Sequence, residues 1–319
     1  MDLSIIIVNW NSMEYLRKCI ASILAHTHEI GFEIIVIDNA SFDGCGEMLQ
    51  GCYPQVRFIQ GSSNLGFAKA NNAAFAVSAG RNLLFLNPDT ELAGASVETL
   101  YHHLSSSPSA GVVGPKLLNG DKSVQTSCIQ AFPTILNQLL DFNVLRTVFP
   151  RAGLWGMESL FTENGVPTEV DAVSGACLMM KRSVFESIGR FSEDFFMYSE
   201  DIDICHKAKG AGWTTYYVPT AVVVHYGGAS TSHNTGNTFS EIMFLESRWR
   251  FFRKTRSFWY CWLYRLSMFS VSIVRIGLVL PLWLARKLQR RESSMNTILA
   301  KWTASLRWTL GFEGWVDNY

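Results

Sequence analysis

The first 90 residues alternate between short continuous apolar runs and segments in which apolar residues recur every three or four positions. A continuous apolar run that ends in turn-forming residues is typical of a strand buried on both faces. The three-to-four spacing is typical of a helix packed on one side. The pattern predicts strands at 3–8, 32–37, 56–60 and 83–86, separated by helices at 14–24, 45–50 and 65–79. Such alternation predicts a parallel, doubly wound α/β sheet.

The pattern after residue 90 is less regular. It predicts helices at 96–104 and 200–210 and strands at 110–118, 170–181 and 218–225. Asn119-Gly120-Asp121 is typical of a hairpin turn that leads back into a strand at 124–128. Residues 129–168 mix Phe, Pro and Leu without a clean period, and we expect irregular, partly helical surface there.

Polar side chains follow several predicted strands at the point where each strand ends. Asn9 follows the first strand, Asp38 the second, and Asn87-Pro88-Asp89 the fourth. Ligands of open α/β sheets bind at the carboxyl ends of the strands. A carboxylate beside an amide at that edge can bind a divalent cation against a phosphate oxygen. The three residues after the fourth strand also form ordinary turns, so a turn and a binding site both remain open.

Composition narrows the class of protein. Formal charge is zero, which gives no electrostatic argument for binding nucleic acid. The seven cysteines are scattered without a C-x-x-C pair, which argues against a disulfide framework or zinc site and for a reducing compartment. The apolar run at the N-terminus is short and lacks a basic leader, so we expect no signal peptide. The loop after the first strand has no glycine, and a P-loop pattern is absent, which argues against usual dinucleotide and P-loop sites.

Three further features carry candidate chemistry. Glu200, Asp201 and Asp203 open a predicted helix, where the helix dipole alone favours acidic residues. The apolar residues 195–198 before them tend to raise a carboxylate pKa, which suits a general base. His225 ends the last predicted strand, as a ligand or as a structural residue. The small residues 174–176 indicate close approach of the backbone to a ligand at Gly175.

Seven ordered segments together resemble inverting family 2 glycosyltransferases with the GT-A fold, and most closely their bacterial rhamnosyltransferase branch. The segments are IIIVNWN (5–11), VIDNASFDG (36–44), NLGFAKANN (64–72), LNPDT (86–90), SGACLMMK (174–181), GRFSEDFFMYSEDID (189–203) and VHYGGAS (224–230). They span roughly residues 3–232. The resemblance implies a mixed, mainly parallel sheet flanked by helices.

The resemblance also implies roles for residues. Asp201 matches the catalytic base, with Glu200 beside it, and Asp89 matches the last residue of a metal-binding D-x-D motif. Asn87 occupies the first position of that motif, a departure that removes one charge. His225 matches a histidine that completes the metal or diphosphate site in some relatives, so Mg²⁺ or Mn²⁺ is the implied cofactor. The implied nucleotide-sugar contacts are Val8, Asn9, Asp38, Asn64, Gly66, Lys69, Asn87, Asp89 and Gly175.

The last quarter of the chain has a different composition, and we expect a catalytic domain at 1–240 followed by a helical region at 241–319. Arg265, Arg275 and Arg286 fall within an arc of about 80° on a helix otherwise rich in apolar and aromatic residues. That pattern is typical of helices that lie in a membrane surface. Flanking basic residues suit anionic headgroups: Arg248, Arg250, Arg253, Lys254, Arg256, Arg286, Lys287, Arg290 and Arg291. A helical cap on the catalytic domain, or a dimer interface, is the alternative.

The sequence therefore predicts an inverting glycosyltransferase of cell-surface glycan synthesis. The expected donor is dTDP-L-rhamnose, and the expected acceptor is a lipid-linked or polysaccharide glycan. The expected location is the cytoplasmic face of the bacterial plasma membrane, with peripheral or monotopic attachment. A UDP-hexose or UDP-N-acetylhexosamine donor, and a non-catalytic nucleotide-sugar-binding membrane subunit, are the alternatives. A homo-oligomer remains open.

Overall fold

A computed structural model describes residues 1–141, 143–162, 165–227, 238–288 and 295–319. The chain divides into two compact units, which are described separately. The sheet unit comprises Met1–Phe132, Arg146–Phe196 and Glu200–Ser232, and the helical unit comprises Pro133–Leu145, Met197–Ser199 and His233–Tyr319. The domain boundary expected near residue 240 stays a prediction.

The described strands are β1 Leu3–Asn9, β2 Phe32–Asp38, β3 Arg57–Gln60, β4 Asn82–Leu86, β5 Thr90–Ala93, β6 Ala110–Leu118, β7 Ile129–Gln130, β8 Thr168–Val170, β9 Ala172–Val173, β10 Cys177–Lys181 and β11 Thr214–His225. The sheet unit is built on a nine-stranded mixed sheet in the order β3-β2-β1-β4-β10-β6-β11-β5, with β8 paired to β11. Strands β1, β2, β3 and β4 are parallel, as are β6 and β11, while β10 runs antiparallel between β4 and β6. The expected mixed sheet is therefore confirmed.

The helices follow the predicted apolar spacing. In α1, Leu16, Cys19, Ile20 and Ile23 repeat at the three-to-four interval, and all four are fully buried. The described helices are α1 Met13–His26, α2 Cys45–Cys52, α3 Gly66–Phe75, α4 Ser96–Ser106, α5 Ile135–Leu139, α6 Asn143–Val148, α7 Arg182–Ser187, α8 Glu200–Gly210, α9 Phe239–Thr255, α10 Phe258–Leu288 and α11 Met295–Thr309.

The buried central strands bring the polar residues to one edge. Strand β1 pairs in parallel with β2 so that Asn9 lies opposite Asp38. On its other side β1 pairs with β4, whose five residues are all buried. The polar residues that follow these strands therefore share the carboxyl edge of the sheet, as the sequence predicted. All seven cysteines are free thiols.

Three predicted strands differ from the structure. The strand predicted at 170–181 is divided among β8, β9 and β10. The predicted strand at 124–128 is reduced to a bridge between Leu118 and Val124, followed by a 3₁₀ turn at Thr126–Cys128. The last strand begins at Thr214, earlier than predicted, and its pairing with β6 shifts register between Val218 and Val222. Pro219 lies in that interval, and proline interrupts a ladder because it has no N–H to donate.

The helical unit includes three residues that precede α8 in the sequence. Ser247 Oγ donates to Met197 O at 2.7 Å, and Arg248 Nη1 donates to Ser199 Oγ at 3.1 Å. Tyr198 and Ser199 have φ of 68° and 66°, the left-handed region that non-glycine residues rarely adopt. Hydrogen bonds from α9 thus fix a strained turn next to the acidic cluster.

The arginines of helix α10 make contacts that differ from those predicted. Arg265 Nε and Nη2 donate to Thr309 O and Trp308 O at the end of α11, at 2.9 and 2.8 Å. The Arg275 guanidinium lies 5.4 Å from the ring centroid of Trp302 on α11. Both arginines therefore pack against α11, and the expected headgroup-facing arginine stripe is wrong for these two residues.

Two of the basic residues that precede α10 are also directed into the helical unit, not toward solvent. Arg248 is buried, and Arg250 donates to Glu246 and to the backbone of the C-terminus. Among the predicted headgroup contacts, the exposed ones are Arg253, Lys254, Arg256 and Lys287. Arg290, Arg291 and the side chain of Arg286 lie outside the described residues.

The outward face of α10 is apolar. Trp259, Leu266 and Leu278 are 78%, 60% and 64% exposed. The helix contains a 28-residue segment, Phe258–Ala285, that includes an 18-residue window with mean hydropathy 1.9. By length and composition alone, it is long and apolar enough to cross a membrane. This feature weakly suggests membrane association.

Candidate active site

Asn87-Pro88-Asp89 forms the turn between β4 and β5. Thr90 Oγ1 donates to Asn87 O at 2.8 Å, which closes the turn. Asn87 N donates to Ala176 O at 2.9 Å, which ties the turn to the segment before β10. The residues form a turn, as one alternative predicted, and that turn places Asp89 at the sheet edge.

Strand β11 delivers His225 to this turn. Because β11 pairs antiparallel with β5, His225 lies opposite Thr90. His225 Nε2 is 3.3 Å from Asp89 Oδ1 and 3.4 Å from Asn87 Nδ2. Asp89 is 6% exposed. Residues 228–230 of the predicted VHYGGAS segment lie outside the described residues.

Asp89 and His225 are suited to hold a divalent cation. A carboxylate oxygen and an imidazole nitrogen, close together and largely shielded from water, form a ligand pair that Mn²⁺ accepts. Asn87 adds a neutral amide at the same point, so the pair provides only one negative charge. The residues therefore fit a cation, with fewer charged ligands than a D-x-D motif supplies.

A second group brings possible metal ligands together, namely Asp38, Asp43 and Cys45, whose ligand atoms lie within 4.8 Å of one another. Burial, followed by the charges of the two aspartates, raises the pKa of the Cys45 thiol. Asp43 accepts from the N–H groups of Ser12, Met13 and Cys45. Because N–H groups already surround Asp43, this group serves the fold of the loops.

Asp201 lies in the first turn of α8, against the glycine that the sequence singled out. Gly175 N donates to Asp201 Oδ2 at 3.0 Å, and Ile202 N donates to Asp201 Oδ1 at 2.8 Å. A Cβ at Gly175 would lie 3.3 Å from the Asp201 Cβ, so the glycine permits this approach. Asp201 is half-buried, whereas its neighbour Glu200 is buried.

Asp203 has a structural role. It is 1% exposed, accepts from Ser192 Oγ at 2.6 Å, and lies 3.5 Å from Lys207 Nζ. These contacts attach the start of α8 to the preceding loop. The acidic cluster therefore contains one anchoring carboxylate and two candidate catalytic carboxylates.

Asp38 organises the loops after β1 and β2. It is fully buried, and it accepts from Asn9 Nδ2, Ser41 N and Oγ, Phe42 N and Gln60 Nε2. Burial pushes the pKa of Asp38 upward, but the hydrogen bonds from Ser41, Gln60, Phe42 and Asn9 outweigh it and hold the pKa below its ordinary value. Five donors exceed the four lone-pair sites of a carboxylate.

Asn64 and Gly66 lie where the loop after β3 meets α3. Asn64 Oδ1 accepts from Asn39 Nδ2 at 2.7 Å and from Gly66 N at 2.9 Å. Gly66 has φ of 74°, and a Cβ there would lie 2.3 Å from Phe196 O, so close packing also requires this glycine. Lys69 is exposed on α3 and lies outside these hydrogen-bonded groups.

Three residues near the site were not predicted from the sequence. Asp43 caps α1 through Ser12 N and Met13 N, and Gln125 Oε1 lies 2.8 Å from His225 Nδ1. Trp10 is 37% exposed at the end of β1. Trp10 could have been identified from the sequence, because it is an aromatic residue among polar residues at the end of a strand. The contact of Gln125 with His225 depends on tertiary structure.

The comparisons with known proteins agree with this mixed α/β fold. The profile of Glycosyl transferase family 2 matches residues 4–189, more than half of the chain. The chain therefore belongs to that family.

Two characterised relatives and one solved structure narrow the assignment. Over 264 residues the chain is 32% identical to the N-acetylglucosaminyl-diphospho-decaprenol L-rhamnosyltransferase of Mycobacterium tuberculosis, with 77% of this chain and 84% of the relative covered. It is 26% identical to rhamnosyltransferase WbbL of Escherichia coli K12, with 79% and 93% covered. The mannosyltransferase PcManGT of Pyrobaculum calidifontis, solved with GDP-Man and Mn²⁺, superposes with a TM-score of 0.55 at 16% identity, covering 98% of this chain and 87% of that one.

The structural likeness shows the GT-A fold. The chain is a rhamnosyltransferase-like glycosyltransferase, an enzyme of glycan synthesis that takes a nucleotide-sugar donor and a glycan acceptor. These findings confirm the predicted family, fold class and type of enzyme.

Proposed function

We propose that this enzyme transfers L-rhamnose from dTDP-L-rhamnose to a lipid-linked or polysaccharide acceptor, with inversion at the anomeric carbon. The identity to two rhamnosyltransferases supports the donor sugar. The name of the first relative, which specifies a diphospho-decaprenol, supports a lipid-linked acceptor.

One observation supports the proposed mechanism of sugar transfer. Gly175 N binds the Asp201 carboxylate, and the next residue, Ala176, accepts a hydrogen bond from Asn87 N. Two adjacent residues therefore tie the proposed base to the turn that bears Asp89. This link fixes a proton acceptor relative to the proposed diphosphate site.

Asp201 is the proposed general base. An acceptor hydroxyl is a poor nucleophile, and Asp201 takes its proton as the oxygen attacks the anomeric carbon. The bond between that carbon and the diphosphate oxygen breaks on the opposite face, and one displacement inverts the configuration. Asp89 and His225 would hold a divalent cation, which supplies positive charge to stabilise the leaving diphosphate.

The loops around Asp38 form the proposed nucleotide pocket. Asp38 accepts a pyrimidine N–H only if one present donor leaves, and the exposed Gln60 is the donor that water can replace at least cost. Val8 and Asn9 line the same pocket at the end of β1, and the exposed Trp10 ring offers a face for stacking. Asn64, Gly66 and Lys69 then lie toward the ribose and diphosphate.

The helical unit is the proposed membrane attachment. The apolar outward face of α10 and the exposed Arg253, Lys254 and Arg256 support an interfacial position at the cytoplasmic face of the bacterial plasma membrane. A lipid-linked acceptor would be presented at that surface.

A donor panel tests the proposal. dTDP-L-rhamnose, UDP-glucose, UDP-galactose and UDP-N-acetylglucosamine are compared by binding and by release of the nucleoside diphosphate. Selective binding and hydrolysis of dTDP-L-rhamnose is expected. Preference for a UDP-sugar would assign another donor, and binding of a donor without turnover on any glycan acceptor would indicate a non-catalytic subunit.

A further inference from the structure

The turn at residues 119–125 carries a continuous series of side-chain hydrogen bonds that ends on His225. Ser123 Oγ donates to Asp121 Oδ1 at 2.6 Å, and Asn119 Nδ2 donates to Ser123 Oγ at 2.8 Å. Gln125 Nε2 donates to Asn119 Oδ1 at 3.2 Å. The amide oxygen of Gln125 is then left facing His225 Nδ1, at 2.8 Å.

The direction of this series follows from its first member. Asp121 is exposed, and an ionised carboxylate can only accept hydrogen bonds. Ser123 must therefore donate to it, which leaves the Ser123 oxygen to accept the NH₂ group of Asn119. Asn119 then presents its carbonyl oxygen to Gln125.

The same logic sets the proton position on the imidazole. Gln125 uses its NH₂ group on Asn119, so its carbonyl oxygen accepts from His225 Nδ1. In a neutral imidazole with the proton on Nδ1, Nε2 carries a lone pair. That lone pair lies 3.4 Å from Asn87 Nδ2, a donor, and 3.3 Å from Asp89 Oδ1, an acceptor. The two acceptor atoms, Nε2 and Oδ1, are close enough to share a cation.

The backbone fixes the turn beside the strand that carries His225. Gln125 N donates to Leu117 O at 2.9 Å, and Asn119 N donates to Ser123 O at 2.8 Å. Leu117 is fully buried in β6 and lies opposite Val223 of β11. The backbone of Gln125 is therefore hydrogen-bonded to a buried strand of the sheet, which helps to hold its side chain against the metal ligand.

We propose that Gln125 is a positioning residue for the divalent cation: it holds His225 with the proton on Nδ1, so that Nε2 and Asp89 share the cation. This inference rests on the cation role in the proposed function. It adds a residue outside the D-x-D-like turn, and it offers one reason why a site with Asn87 in place of a carboxylate can still bind a metal.

Two substitutions at Gln125 test the proposal in the full chain. Gln125→Glu keeps an acceptor for Nδ1–H, whereas Gln125→Leu has a similar length and removes it. Binding of Mn²⁺ alone is measured from the electron paramagnetic resonance signal of the free ion. We expect Leu to weaken Mn²⁺ binding about tenfold or more, the usual effect of losing such a partner, and Glu to bind at least as tightly as the parent.

Nitrogen NMR of ¹⁵N-histidine-labelled protein provides the second readout, at a pH of about 8 where imidazoles are neutral. His225→Asn identifies the relevant signals. The proton is expected on Nδ1 in the parent protein and in Gln125→Glu, with a mixture of tautomers in Gln125→Leu.

Three results would overturn the proposal. They are equal Mn²⁺ affinity in Gln125→Leu and the parent, equal weakening in both variants, and a parent His225 protonated on Nε2. Absence of Mn²⁺ binding in the parent would overturn the cation role itself. Because neither readout requires donor or turnover, an incorrect sugar assignment would leave these results interpretable.

Discussion

Asp201→Asn is expected to abolish sugar transfer while donor binding remains. The substitution removes the only proton acceptor of the proposed mechanism, and loss of a general base typically lowers the rate by about 10²–10⁴-fold. In the proposed mechanism the donor is bound by other residues, at the Asn87–Asp89 turn and at the loops around Asp38. The affinity for dTDP is therefore expected to change by less than about threefold, well under the roughly 1.4 kcal/mol that a tenfold change represents.

The structure also predicts a cost in stability. Asp201 accepts one N–H on each carboxylate oxygen, from Gly175 and from Ile202. Asparagine has a single acceptor oxygen, so in either orientation its NH₂ group faces one of these N–H donors. A donor left without its acceptor costs about 1–3 kcal/mol. The melting temperature should fall by several degrees, and assays must be run well below it.

Initial rates of acceptor glycosylation, the Kd for dTDP by calorimetry, and thermal unfolding are measured on the same preparations. Glu200→Gln is the matched control, because Glu200 is the adjacent carboxylate but is buried. It is expected to retain most of the activity. Near-normal turnover in Asp201→Asn would refute the assignment of the base, and a greater loss in Glu200→Gln would transfer that role to Glu200.

Four other outcomes are expected. Asp89→Ala should weaken dTDP binding in the presence of Mn²⁺ but not in its absence, measured by calorimetry; equal affinity with the cation would contradict the metal role. Gly66→Ala should destabilise the protein by about 2–5 kcal/mol in urea unfolding, because the new Cβ meets Phe196 O, whereas Gly94→Ala, at φ 76° with open space, should cost only about 1–2 kcal/mol; equal losses would argue against the clash. Since the pKa of Asp38 is lowered on folding, its contribution to stability is complete above the unfolded-state pKa of about 3.9 and is lost as the pH falls through the lower folded-state pKa; Asp38→Asn should flatten this part of the acid-unfolding profile. Leu266→Glu on the exposed face of α10 should release the protein from anionic liposomes in flotation, whereas Phe149→Glu, at a side chain equally exposed in the sheet unit, should not; retention of the Leu266 variant would locate the membrane contact elsewhere.

Much of the fold is predictable from local pattern. Strand 110–118 matches β6 at both ends, and the helices at 14–24 and 96–104 are within two residues of the observed bounds. The strand is mostly apolar, although Pro115 and Lys116 interrupt it, and both helices have full apolar stripes. The sequence could not show that β10 inserts antiparallel between β4 and β6, because strand order depends on long-range pairing.

The site was predictable where residues directly follow strands, as with Asp38, Asp89 and His225. The contact of Gln125 with His225 was not predictable, since it joins positions 100 apart. The arginines of α10 show the opposite case. Helical spacing correctly places Arg265 and Arg275 on one side, but that side faces α11, and only the structure identifies the partner.

The helical unit is assembled from three segments that are separated in the sequence, and this has a consequence for folding during synthesis on the ribosome. Ile135 N donates to Tyr260 Oη, a contact that spans 125 positions. At about 5–20 residues per second, Tyr260 is added roughly 6–25 s after Ile135. Likewise, residues 197–199 cannot form their hydrogen bonds with Ser247 and Arg248 until those two residues have been synthesised. The segment that precedes Asp201 therefore acquires its hydrogen-bond partners late in translation. A chain released from a ribosome that stalls before α9 would lack the hydrogen bonds from that helix to the strained turn at residues 197–199.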